Sequence, residues 1–146
     1  MLKRLLATAD SLPLTVVRLG LGITMFPHGA QKMMGWFGGQ GFGATMGSFE
    51  HEGIPAVFAF LAIAAEFFGA LGLILGFLSR IAAFGVLCTM VVAVGLVHGA
   101  NGFFMNWAGT QKGEGFEYHV LAIALSVAVV IGGGGDFSVD RAAARR

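Results

Sequence analysis

Four apolar runs divide the chain, separated by polar or glycine-rich stretches: Leu12 to roughly Ala30, Pro55–Leu78, Ile81–Gly99 and roughly Tyr118–Gly133. Each approaches the about 20 residues that a helix needs to cross hydrocarbon. None alternates with the period of two expected of a barrel strand. The pattern predicts an all-α integral membrane protein. Its architecture is a four-transmembrane-helix bundle in a single domain, residues 1–146, with helices at roughly 12–31, 55–78, 81–100 and 117–134. Between the first two helices Phe42, Met46 and Phe49 recur at i, i+4 and i+7. That spacing predicts an interfacial loop or short helix that lays one face on the bilayer.

Composition points to the same solvent. Apolar residues make up 56% of the chain and charged residues 12%, where a soluble domain carries about 25% charge. The net charge of +1 offers no electrostatic footprint for nucleic acid. Cys88 is the single cysteine, which excludes an internal disulfide and a cysteine-rich metal site built by this chain alone. Lying in an apolar run, it reads as a small packing residue.

Charge placement gives an orientation. Lys3, Arg4, Arg80, Arg141, Arg145 and Arg146 fall on one side, with Arg18 close to it, and only Lys32 and Lys112 on the other. The positive-inside bias then puts both termini in the cytoplasm and the loops of about 31–54 and 100–116 outside. Lys3 and Arg4 ahead of an apolar run resemble a secretion signal. Arg18 interrupts that run and no small-x-small cleavage site follows, so a retained helix is expected. The basic tail "DRAAARR" is expected near anionic lipid headgroups.

The stretch from Gly39 to Ala44, "GQGFGA", fits the G-x-G-x-x-G/A spacing of a dinucleotide turn, with Glu66 about 20 residues on as a ribose-binding acid. Such a turn needs a strand before it and a helix after it. Here an apolar helix containing Pro27 precedes it, and Glu66 lies inside the second apolar run. The glycines therefore read as connections of the interfacial loop, which is either a surface cap or a lid over an outward-facing pocket. Trp36 and Phe37 suit the headgroup zone.

Polar residues inside apolar runs are the candidates for chemistry, because an ionisable group near a helix centre costs about 2.5–3.5 kcal/mol on insertion scales. Glu66 is the foremost, either as a structural hydrogen bond between helices or as a ligand-binding or proton-handling acid. The topology brings a second group to one outer level: His28, Gln31 and Lys32, then His98, then Glu117 and His119. Such a group can form a polar cavity for a quinone headgroup or small polar substrate, or can simply face water. No H-x₃-H or H-E-x-x-H spacing supports a metal site, and none is assigned. His51 reads as solvated. An inner group, Arg18, Arg80, Asp136 and Asp140, reads as structural ion pairs; Arg18 needs either a carboxylate, Asp136 or Asp140, or helix-end carbonyls. Ala62, Ala65, Gly69, Gly72 and Gly76 on the second helix suit close packing within the bundle, with a dimer interface as the alternative.

In order, "RLGLGITMFPHGAQKMMGWFGGQGF", "FEHEGIP", "AAEFFGALGLILGFLSRIAA", "EYHVLAIAL" and "GGGGDFSVD" resemble the DoxX family of small four-helix membrane proteins over almost the whole chain. The family is similar to the membrane subunit of thiosulfate:quinone oxidoreductases, and some members are linked to complexes that handle thiol and oxidative stress. The resemblance implies the cytoplasmic (inner) membrane of a bacterium or archaeon. It carries no dependable catalytic motif. The cysteine pair of thiol-disulfide chemistry is absent from this chain. The reading that follows is a membrane-integral subunit of a redox system, at most one subunit of a quinone-linked oxidoreductase. Its ligand-binding or proton-handling candidates are His28, Lys32, Glu66, His98, Glu117 and His119. No cofactor is evident in the chain beyond the quinone the site would take. The partners are the lipid bilayer and proteins of a redox complex, with homo-oligomers open. A non-catalytic scaffold or accessory subunit of a larger respiratory or oxidative-stress complex, and a small transporter, are the alternatives.

Overall fold

The computed structural model describes residues 5–145, and the regular structure within them is helical throughout. Helix α1 (Leu12–Met34) leads through a 3₁₀ turn (Trp36–Gly38) to α2 (Phe42–His51). Helices α3 (Ala56–Leu75) and α4 (Ser79–Ala93) follow, joined by a tight turn at 76–78. A π-helical turn (Val94–His98) and a 3₁₀ turn (Gly99–Asn101) extend α4, and α5 (Glu117–Gly132) and the short α6 (Val139–Ala144) complete the chain. Lys3, Arg4 and Arg146, which carry part of the orientation expected from charge, lie outside the described residues.

The helix ends follow local chemistry. Ser11 caps α1, its Oγ accepting from the Leu14 N–H at 3.3 Å, and Pro13 sits in the first turn, where a missing N–H costs nothing. The helix runs past the expected end near residue 31, because polar Gln31 and Lys32 do not break a helix. Gly35, at φ +73°, does. Residues 42–51 form the short helix expected between the first two apolar runs, with His51 exposed at its end.

Two helices are long and apolar enough to cross a membrane: α3, with 20 residues, and α4 with its extensions, with 23. The 16 residues of α5 are apolar but shorter. α1 has the length, with 23 residues, but carries Arg18, His28, Gln31 and Lys32.

Helix α3 packs against both α1 and α4, and α5 closes the bundle against α4 and α1. Leu21, Met25, Ala70, Leu73, Ala83, Val86, Met90, Ala122 and Val129 form the core. The α1–α3 crossing is tightest at Gly29, where an added Cβ would lie 2.5 Å from the carbonyl carbon and oxygen of Glu66. The small residues of α3 face α4: a Cβ on Gly69 would touch the Ala82 carbonyl at 3.4 Å, and Ala65 packs on Gly85. Large apolar side chains such as Phe58, Phe68, Phe84, Leu121 and Ile131 point away from the bundle. Cys88 corrects the packing expectation. It is exposed on the outer face of α4, because residues 86 and 90 turn toward the core at helical spacing and 88 falls between them.

Candidate functional site

Glu66 is built into the middle of α3 beside the glycine crossing, and its residue is 3% exposed. It forms an ion pair with Lys32, which reaches it from the last turns of α1. The approach of α1 at Gly29 makes this pair local: one turn beyond the crossing, residue 32 is on the same side of the helix as residues 28 and 29. His28 shares that face, and its ring lies 5.8 Å from the ring of Tyr118. The rings of His98 and His119 lie with centroids 4.1 Å apart and planes tilted by 39°, and Tyr118 and His119 are 5.5 Å apart edge to face. Five of the six outer residues expected from sequence, His28, Lys32, Glu66, His98 and His119, are therefore linked through one cluster.

The hydrogen bonds within it are uneven. His98 Nδ1 lies 2.9 Å from the Glu114 carbonyl. A carbonyl only accepts, so Nδ1 carries the proton and Nε2 is the remaining position. The π-helical turn Val94–His98 sets the direction of this ring, and Gly99 permits it: a Cβ there would lie 2.7 Å from the Val94 carbonyl oxygen. By contrast the Tyr118 hydroxyl and His119 Nδ1 are closed to solvent and have no hydrogen-bond partner among the described residues.

Glu117 stands elsewhere. Its carboxylate accepts the Trp107 indole N–H at 3.1 Å in the outer segment between α4 and α5. Glu117 and His119 are two residues apart and so diverge around α5. Tyr118 is the residue that sequence reasoning missed. It is the only tyrosine in the chain and stands in the first turn of an apolar helix next to His119, a position whose hydroxyl needs a partner if buried.

Beside the cluster, a concavity of about 390 Å³ lies between the end of α1, the glycine turn and α2. Lys32 lines it together with Gln31, Gly39, Thr45, Ser48 and Glu52. α2 thus lines a polar hollow. Gly39 is held against the backbone of Gln31, where no side chain fits, and its N–H donates to the Trp36 carbonyl. The glycines serve the turn.

The inner group is assembled, but the ion pairs expected of it differ. Arg18, 1% exposed, donates to the carbonyls of Gly134 (2.8 Å), Leu73, Ile74 (2.9 Å) and Phe137 (2.7 Å), and to no carboxylate. Arg80 likewise donates to the carbonyls of Ala7 (3.0 Å), Val130 and Ile131 (2.8 Å). The last carbonyls of α3 and α5 have no intrahelical donor and sit at the negative ends of the helix dipoles, so they serve as the arginines' counter-charge. Asp140 instead accepts from the N–H groups of Leu78 (2.7 Å) and Ser79 (2.8 Å) and caps α4. Asp136 pairs with Arg141, which also reaches Asp10 at 2.9 Å.

Neither a curated protein nor a solved structure matches the chain. Among protein families, DoxX matches residues 14–99. The match runs from α1 through the π-helical turn and takes in Arg18, His28, Lys32, Glu66, Arg80 and His98. It covers more than half of the sequence, and the chain belongs to the DoxX family.

Proposed function

We propose that the protein is a membrane-integral subunit of a redox system, crossing the bilayer four times and binding a quinone headgroup or small polar ligand in the outer cluster. Family membership and two helices of membrane length support the membrane assignment. The outward display of Val16 and Ile23 on α1, Phe58 and Phe68 on α3, Phe84 on α4, and Leu121 and Ile131 on α5 suits four lipid-facing helices. The observation that carries the site is the juxtaposition of the Lys32–Glu66 pair, whose carboxylate is buried, with two orphaned polar atoms, Tyr118 Oη and His119 Nδ1. Burying a polar group unpaired costs about 1–3 kcal/mol, a cost that a bound partner offsets.

A quinone would supply the electron chemistry that no side chain here supplies. The chain's own part is to bind and to move protons. The Tyr118 hydroxyl donates toward a ligand oxygen, His119 and His98 take up or release a proton, and Lys32, held by Glu66, closes the polar side of the site. The protein is to be purified from its membranes and its bound lipids and quinones extracted. A stoichiometric quinone or polar ligand, lost in Glu66→Gln and His28→Ala, supports the reading. A protein that carries no ligand yet still binds a protein partner in both variants would make it a scaffold.

A further inference from the structure

We infer that the outer cluster selects an uncharged ligand bearing a carbonyl or hydroxyl oxygen over an oxyanion, with Tyr118 and His119 as the specificity-determining contacts. The inference rests on the proposed ligand site and narrows what it accepts. A lysine at the mouth of a polar hollow ordinarily invites an anion. Here the ammonium is already committed: Lys32 is paired with Glu66, whose side chain is 5% exposed. The two charges cancel. A second anion on Lys32 would share the site with a carboxylate it repels, and Glu52 adds another acid to the lining of the hollow. It would also surrender its hydration, and a buried charge is costly unless paired.

What the cluster leaves unspent is neutral. The Tyr118 hydroxyl can donate to or accept from a ligand oxygen, and His119 Nδ1 can do either according to its tautomer. His98 is fixed by its bond to the Glu114 carbonyl, and its ring lies against that of His119 and restrains it. Two orphaned groups on adjacent residues, flanked by the rings of His28 and His98, match a planar molecule with a carbonyl or phenolic oxygen. They do not match the charge of sulfate or phosphate.

The single tyrosine makes the test direct. Protein labelled with 13Cζ-tyrosine gives one phenolic resonance, and it is titrated in lipid nanodiscs at about pH 8, where free imidazole and phenol carry no charge. The probes are tetramethyl-1,4-benzoquinone, its hydroquinone and inorganic sulfate. The expected result is a saturable shift with the quinone or hydroquinone and none with sulfate. Equilibrium dialysis should then show about ten-fold weaker binding of the same probe to Tyr118→Phe. Glu66→Gln should reverse the preference: freed from its partner, Lys32 should raise sulfate affinity by about ten-fold or more. A merely structural Glu66 would not do that. Tyr118→Phe, which removes one oxygen from a ring that stays packed, keeps the test decisive if Glu66→Gln does not fold. Sulfate binding to the wild type in preference to both organic probes overturns the selectivity and leaves the ligand site standing. Equal quinone binding by wild type and Tyr118→Phe overturns the role of Tyr118. Binding of none of the three probes overturns the site itself.

Discussion

The two ends of the bundle hold similar residues to opposite effect. At the inner end Arg18 is buried with four carbonyl partners, and Asp140 is buried with two backbone N–H partners. Charge there is used up in closing helix termini. At the outer end the Lys32–Glu66 pair is made, but Tyr118 Oη and His119 Nδ1 beside it have no partner among the described residues; the Ser79 and Ser126 hydroxyls are unpartnered too, yet only at Tyr118 and His119 do two such groups stand on adjacent residues. Buried polar groups stabilise when fully paired and await a partner when they are not. The contrast separates a structural lock from a site, which residue type alone does not.

The largest expected effect breaks the lock. Arg18→Leu leaves the carbonyls of Leu73, Ile74, Gly134 and Phe137 without their donor. Thermal unfolding in detergent should show a loss of about 3–5 kcal/mol. Asp140→Ala should cost less, about 1.5–3 kcal/mol, because it removes two charge-assisted bonds to Leu78 and Ser79 and a carboxylate close enough to favour the Arg18 charge, but leaves Arg18 its four carbonyl partners. Leu78 holds a left-handed conformation at φ +49° in that turn, and the Asp140 carboxylate helps to keep it there. Neither change touches the outer cluster, so binding per folded molecule should stay at the wild-type level.

Much of this division was legible in the sequence. The helix order, the short helix near 42–51 and the outer gathering of His28, Lys32, Glu66, His98 and His119 follow from apolar runs and their polar ends. Helix-end carbonyls were one of two partner classes open to Arg18, but the choice between them and a carboxylate was not legible, because a helix-end carbonyl is present at every terminus and leaves no mark in side-chain composition. Asp136 and Asp140 stood out as the visible acids nearby. Tyr118 was missed for a related reason: a tyrosine at a helix end reads as an interfacial residue, and only the packing of the bundle shows its hydroxyl closed to solvent. Nor did the sequence separate Glu117 from His119, whose directions depend on where α5 begins.

An intermediate effect joins the two measures. Gly29→Ala places a methyl group 2.5 Å from the Glu66 backbone, and overpacking of this kind costs about 1–3 kcal/mol. Its sharper consequence is geometric. Pushing α1 from α3 lengthens the reach from Lys32 to Glu66, so ligand binding should fall in molecules that remain folded. The measurement is ligand retention per folded protein after gel filtration. Full retention would show that the helix crossing does not set the site.

The smallest effect tests the boundary of the site. Glu117 was expected in the cluster by its level in the fold, yet its carboxylate accepts from Trp107, which is 86% exposed. A bond at that surface competes with water on both sides, so Glu117→Gln keeps an acceptor and should alter stability by at most about 0.5 kcal/mol. Ligand affinity should stay within about two-fold of wild type, because less than about 0.4 kcal/mol separates the two states. Tyr118→Phe, one residue along the same helix, is expected to change affinity about ten-fold with a comparably small stability change. If Glu117→Gln instead weakened binding as much as Tyr118→Phe, α5 would present both faces to the ligand. The cluster would then extend into the segment that carries Trp107, and the outer end would have to be redrawn around a carboxylate.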